Sequence, residues 1–110
     1  MRVGFKVLNI TDRDGNPTGG NVVGTGFTIS WQNGPLGRGE NRVEPNGAFV
    51  EDVIDAARQR IQFFQDGKFA CDENRAALSY LNLALEALDS RTARREAANI
   101  EGTHAEEPKS

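Results

Sequence analysis

A leucine stripe in the second half of the chain has polar side chains at both of its ends. The stripe has the 3-4-3 spacing of a helix–helix contact and consists of Leu78, Leu81, Leu85 and Leu88. The same spacing continues upstream to Asn74 and downstream to Thr92 and Arg95, with Arg91 one turn before Arg95. Polar groups that continue an apolar stripe need a partner. The alternative is that the helix leaves its packing at each end and both arginines are solvated.

The spacing of these polar residues predicts a site shared between two copies of the chain. Asn74 and Arg91 lie 17 positions apart, which is about 25 Å along one helix. One small ligand cannot reach both in the same chain. Phe64, near the end of the preceding helix, is expected beside Asn74. An antiparallel dimer would bring Phe64 and Asn74 of one copy to Arg91 and Arg95 of the other, in two equivalent sites.

The side chains of this shared site suit a nucleotide-like ligand. Phe64 offers an aromatic face for a base and Asn74 an amide for hydrogen bonds to its edge. Arg91 and Arg95 offer guanidinium groups for phosphates.

Other chemistry is less well supported by the sequence. Cys71 and His104 are the single cysteine and histidine, and nothing in the sequence orients them as nucleophile and base. We therefore predict no catalytic residues, no metal site and no cofactor. Trp31 is typical of a core or dimer interface, with adenine stacking as the alternative. His104 is expected in a tail, with the alternative that Gly102-Thr103-His104 folds back against a ligand.

The composition divides the chain near Asn46-Gly47. Ten of the twelve glycines precede residue 48, whereas every alanine follows residue 47. Glycine disfavours helices and alanine favours them, so we predict a strand-and-loop half followed by a helical half. The fold class is α+β in a single domain, residues 1–110.

Two alternating runs, residues 2–10 and 23–31, predict a pair of antiparallel strands within a β region of residues 1–32. A two-stranded sheet is not stable alone, so it must pack on the helices or on another copy. Residues 33–47 form a Gly/Pro loop, either a mobile connector or a lid over a ligand.

Two amphipathic helices with a short link predict an antiparallel helical hairpin over residues 48–98. The first helix is expected over 48–65 with Asn46 as N-cap, and the second from an Asp72 N-cap to about Ala98. Residues 99–110 form a tail, whose last six residues are expected to fray.

Charge and size exclude several classes of protein. The 110 residues carry a net charge of −3, with a pI near 5.1, which argues against nucleic-acid and membrane-surface binding. We expect no signal peptide at the N-terminus. The sequence has no apolar run long enough to span a bilayer and no second cysteine for a disulfide. We expect a small cytoplasmic protein that gains stability as a homo-oligomer.

The order of several motifs resembles the phage anti-Thoeris sponges, the first-described family of that name. The motifs run through both halves of the chain: Trp31-Gln32-Asn33-Gly34-Pro35, Asn46-Gly47, Glu51-Asp52-Val53, Phe63-Phe64-Gln65, Phe69, Asn74, the leucine stripe, Ser90 to Arg95, and Glu101-Gly102-Thr103-His104. One departure is Ala97-Ala98-Asn99-Ile100, where relatives tend to be more basic.

The resemblance implies a fold and a function. Such proteins have a small antiparallel sheet followed by two long helices, and form dimers or rings of dimers. They sequester glycocyclic ADP-ribose, a signal of bacterial Toll/interleukin-receptor-type immune enzymes, without degrading it. Their ligand contacts match Phe64, Asn74, Arg91 and Arg95. Some relatives also carry separate sites for cyclic oligonucleotides. The expected location is then the cytoplasm of an infected bacterium.

A second class of function stays open. A small acidic protein with a helical hairpin could inhibit a host protein by direct contact. Its arginines would then pair with acidic residues of that protein rather than with a small molecule.

Overall fold

The computed structural model describes residues 1–107, which form two compact units. One unit contains Met1–Phe49 together with residues 100–107, and the other contains Val50–Asn99. The α+β prediction is confirmed, because a three-stranded antiparallel sheet precedes two helices.

The sheet has three strands in the order β1-β2-β3, namely Phe5–Thr11, Pro17–Gly24 and Phe27–Ser30. The prediction of one strand over residues 23–31 is therefore wrong. A turn at residues 25–26 divides that run, and Gly26 supplies the positive φ of 84° that a tight turn favours. The predicted strand start at residue 2 is also early, because Gly4, at φ 79°, interrupts the extended path before Phe5.

The sheet alone encloses little apolar volume. Val22, the sixth of the eight residues of β2, is the one apolar side chain among residues 1–107 that is buried. Phe5 and Phe27 flank Gly24 in adjacent strands, and their rings meet edge to face with centroids 5.8 Å apart. Gly24 has no side chain to obstruct this contact, since a Cβ there would lie 2.5 Å from the Phe27 ring.

The Gly/Pro loop of residues 33–47 is closed at its base by amide side chains. Asn46 Oδ1 accepts from the Asn33 N–H at 2.8 Å, and Asn46 Nδ2 donates to the Asn33 carbonyl at 3.0 Å. Gln32 Oε1 accepts from the N–H of Asn46 at 2.8 Å. Asn46 is thus a loop clamp and not the predicted helix N-cap, because the first helix begins only at Val50.

The tail contacts this loop. The Gly37 N–H donates to the Gly102 carbonyl at 2.8 Å, and Arg38 Nη1 donates to the Glu101 carbonyl at 2.9 Å. The loop itself contains a 3₁₀ turn at Gly39–Asn41. Of the six residues expected to fray, 108–110 lie outside the described residues.

The second unit consists of α1, Val50–Gln65, and α2, Asp72–Ala97, which pack against each other. The predicted bounds of 48–65 and 72–98 agree within two residues. The predicted leucine stripe is the more covered face of α2, since Leu78, Leu81, Leu85 and Leu88 are all half-buried, as is Asn74.

Candidate ligand-binding site

The link between the two helices carries an exposed aromatic cluster made by Phe63, Phe64 and Phe69. The rings of Phe63 and Phe64 meet edge to face with centroids 5.7 Å apart. The Arg60 guanidinium carbon lies 4.9 Å from both centroids, a cation–π arrangement that orients the pair. A pocket of about 400 Å³ opens here, lined by Phe63, Phe64, Asp66, Gly67, Lys68 and Phe69.

Sequence reasoning singled out Phe64 and named Phe63 and Phe69 only as parts of the family motif. It missed Arg60 altogether. The spacing contains a signal for Arg60, because residues three and four positions apart on a helix are neighbours and both phenylalanines stand at those distances.

Asn74 lies in the first turn of α2 and ties that turn to the link. Its Nδ2 donates to the Phe69 carbonyl at 3.3 Å. Within residues 1–107 its Oδ1 has no hydrogen-bond partner, so an acceptor remains for a ligand donor. Phe64 lines the same pocket as Phe69. The structure therefore brings Phe64 and Asn74 to one end of the helical hairpin, as the sequence predicted.

The N-cap of α2 is Cys71 and not the predicted Asp72. Cys71 has extended backbone angles, φ −158° and ψ 167°, and its Sγ accepts from the Asn74 N–H at 3.4 Å. Asp72 is instead the first helical residue, where its charge suits the positive end of the helix dipole. The Cys71 thiol is exposed.

Arg91 and Arg95 lie near the other end of α2 and differ sharply in exposure. Arg95 is only 5% exposed, whereas Arg91 is exposed. The alternative that both arginines are solvated is therefore wrong for Arg95. A charged side chain that is covered to this extent is costly unless it is paired or hydrogen-bonded.

Trp31, Thr103 and His104 belong to the first unit. Trp31 is half-buried and its N–H donates to the Gly20 carbonyl at 3.0 Å, next to the bridge it forms with Ala48. Thr103 Oγ1 donates to the Ile100 carbonyl at 2.5 Å and accepts from the Ala105 N–H at 3.2 Å. The Thr103 hydroxyl therefore stabilises a turn of the tail.

His104 is exposed and belongs to the same unit as Asp12. The pKa of Asp12 lies below its ordinary value, chiefly because its carboxylate accepts the Asn16 N–H, with smaller contributions from Asp14 and His104. His104 and Cys71 belong to different units. In residues 1–107 no group of three or more His, Cys, Asp or Glu side chains could hold a metal ion.

The described helices include none with the length and apolar character required to cross a bilayer. No protein-family model matches the chain. The chain is 40% identical over 77 residues to a protein named Thoeris anti-defense 1 from Bacillus phage SBSphiJ7. That match covers 70% of this chain and 51% of the relative, so the chain spans about half the length of the curated relative it matches.

Proposed function

We propose that this chain, which belongs to the family of Thoeris anti-defense 1, is a phage anti-defence protein that blocks Thoeris immunity. It does so by binding and sequestering glycocyclic ADP-ribose without degrading it. It needs no cofactor and acts in the cytoplasm of the infected host.

The observation that carries this proposal is the division of binding groups between the two ends of the helical hairpin. Phe64 and Asn74 lie at the link, and Arg91 and Arg95 lie near the far end of α2. A rise of 1.5 Å per residue separates Asn74 from Arg91 by about 25 Å. A dinucleotide-sized ligand cannot bridge that distance, so each site takes its aromatic and amide from one copy and its arginines from another.

The exposure of apolar side chains supports pairing of two copies. No residue of α1 is buried, and in α2 the one buried side chain is that of Arg95. Phe63 and Leu83 are 63% and 56% exposed. A protein of this size that leaves such side chains in water gains free energy by covering them with a second copy. The assembly is a dimer or a ring of dimers.

Each group in the shared site has a defined role toward a cyclic ADP-ribose. The Phe64 ring stacks on the adenine, and the Asn74 amide oxygen accepts from a base N–H donor. Arg91 and Arg95 bind the diphosphate with charge-assisted hydrogen bonds. Trp31, Thr103 and His104 are further candidates for ligand contact through the first unit.

Retention of an intact ligand follows from the side chains at the site. Its groups stack, accept hydrogen bonds and neutralise charge, but none is paired as nucleophile and base. A separate site for cyclic oligonucleotides stays a further possibility of the family resemblance.

Titration calorimetry with glycocyclic ADP-ribose tests the proposal, followed by heat release of the ligand and chromatography. We expect tight binding near one ligand per chain, with the ligand recovered intact. A cleaved product would contradict sequestration. An absence of heat would favour another cyclic nucleotide or direct contact with a host protein.

Arg91→Ala should weaken this binding, because one charge-assisted contact to phosphate contributes about 1.5–3 kcal/mol. That corresponds to a dissociation constant about 10- to 150-fold higher. Arg94→Ala is the matched control, since Arg94 is a neighbouring exposed arginine on another face of α2 and should bind as the wild type does. Equal affinity in both variants would remove Arg91 from the site.

A further inference from the structure

The outer edge of β1 is an unpaired strand edge. β1 is the terminal strand of the sheet, and no described residue pairs with its outer side. The opposite edge is different, because the Ala48 N–H donates to the Ser30 carbonyl at 2.7 Å and the Ala48 carbonyl accepts from Gln32 at 3.0 Å. The chain itself therefore uses part of the backbone donors and acceptors at the β3 edge of the sheet. Those at the outer edge of β1 are left for another strand.

β1 also lacks the features that keep natural edge strands from pairing. It runs for seven residues without proline or glycine, and every one of them is exposed. Its apolar side chains, Phe5, Val7, Leu8 and Ile10, are 61%, 54%, 51% and 43% exposed. A single lysine, Lys6, is its only charge.

The irregularity in the β1–β2 ladder does not distort β1. Asn9 pairs with Gly20 and Thr11 pairs with Pro17. Between these two pairs β1 has one residue and β2 has two. The extra residue is therefore on β2, where Gly19 and Gly20 have φ values of 102° and 138°. β1 itself has no inserted residue and is continuous over Phe5–Thr11.

We propose that β1 pairs antiparallel with β1 of a second copy, about a two-fold axis that passes beside Asn9. In this register Lys6 of one copy lies opposite Asp12 of the other, and Leu8 lies opposite Ile10. One face of the joined strands then carries two apolar pairs with an ion pair at each end. Cross-strand pairs of both kinds stabilise sheets. The result is one continuous sheet of six strands.

The residue types favour this register over its neighbours. A two-fold axis at Leu8 would set Lys6 opposite Ile10, and an axis at Val7 would set Lys6 opposite Leu8. Either arrangement places the only charge of β1 against an apolar side chain. Asp12 follows the last residue of β1, and its exposed carboxylate accepts hydrogen bonds from Asp14 and Asn16. It is negatively charged at neutral pH, as an ordinary carboxyl group is, and can therefore face Lys6 of the second copy.

The sheet contact is independent of ligand binding and differs from the pairing of helical hairpins. An assembly that used both contacts would join hairpin dimers to one another through their sheets. Tests that report linkage and mass, rather than affinity, therefore separate this proposal from the proposed function.

A disulfide across the two-fold axis tests the register directly. Residues opposite each other in antiparallel strands have Cα atoms about 4.5–5.5 Å apart, within the range a disulfide spans. Asn9→Cys in a Cys71→Ser background should form a covalent dimer on mild oxidation. Thr11→Cys in the same background is the control, because Thr11 would face Val7 and not itself. No cross-link at Asn9→Cys, or equal cross-linking in both variants, would overturn the proposal.

Complementary charges give a second test. When two copies of the same variant pair, Leu8→Lys or Ile10→Glu places a charge opposite an apolar side chain. When one copy of each variant pairs with the other, the new lysine lies opposite the new glutamate. The second Leu8–Ile10 pair of that mixed dimer is unchanged. By native mass spectrometry, each variant alone should show a smaller assembly than the wild type, in multiples of 12.0 kDa, and mixing them should restore its mass. Single variants with the wild-type mass would refute the pairing.

Discussion

The cap of α2 allows a sharp test of how the link of the helical hairpin is held. Cys71 Sγ accepts the Asn74 N–H at 3.4 Å, whereas Asp72, which the sequence favours as a cap, is already helical. Replacing an N-cap acceptor by alanine costs about 0.5–2 kcal/mol, and the lower half of that range suits a weak sulfur acceptor. We therefore expect Cys71→Ala to lower the free energy of unfolding by about 0.5–1 kcal/mol.

Cys71→Ser should restore or exceed the wild-type stability, because serine is among the best N-cap residues. The loss in Cys71→Ala corresponds to a fall in Tm of about 2–6 °C for a chain of this size. Thermal melts must compare variants at one protein concentration, since association stabilises the folded state.

Asp72→Ala is the matched control. The Asp72 carboxylate makes one exposed ion pair with Arg75, at 3.2 Å, and such pairs contribute little. If Asp72→Ala were more destabilising than Cys71→Ala, or if Cys71→Ser lowered the stability, then Cys71 would not be the cap.

Two further predictions concern packing and pH. Leu85→Asp places a charge on the half-buried face of α2 and should destabilise the helical hairpin by about 2 kcal/mol or more, with loss of ligand binding. Ser79→Asp, at an exposed polar residue of the same helix, should unfold like the wild type. Equal losses of stability for the two variants in chemical denaturation would contradict the assigned face. The pKa of Asp12 is lowered in the folded protein, first by the hydrogen bond from the Asn16 N–H. The carboxylate therefore contributes its full stabilisation of the β1–β2 turn above the ordinary carboxyl pKa of 3.8. This stabilisation is lost as the pH falls through the lowered pKa of the folded state. The Asn16 amide shift followed by NMR should titrate below 3.8, and a midpoint at or above 3.8 would contradict the observed turn.

The helices could be predicted closely from the sequence because their apolar residues follow a 3.6-residue period over many turns. The leucine stripe alone fixes which face of α2 is covered. Because Asn74 and Arg91 lie at opposite ends of this stripe, the rise per residue of a helix predicts that they cannot contact one ligand in the same chain. The juxtaposition of Phe64 and Asn74 followed from the short link, since an antiparallel helical hairpin must bring those two ends together.

The errors arose where one residue decides the local backbone. Val23, Thr25, Phe27 and Ile29 alternate across a turn as well as they would along a strand, so periodicity could not reveal the break near Gly26. Asn46 has the chemistry of an N-cap, but a contact thirteen positions earlier in the chain, with Asn33, uses its side chain. Cysteine is a weak acceptor, so Cys71 gave no capping signal.

The burial of Arg95 could not be predicted either. Position on a stripe indicates which face a residue occupies, but exposure depends on what surrounds that face in three dimensions. The same limit applies to the edge of β1, since the order of strands in a sheet decides which edge is unpaired.

The shared site is tested most directly by mixing two defective variants. Asn74→Ala removes the amide from both sites of a dimer, and Arg91→Ala removes an arginine from both. A mixed dimer has one site with both defects and one site with neither. Random exchange of subunits should therefore restore about one quarter of the tight sites for glycocyclic ADP-ribose that the wild type has. Calorimetry measures these sites at a ligand concentration at which neither variant alone binds the ligand. No restored tight binding would contradict a site shared between two copies.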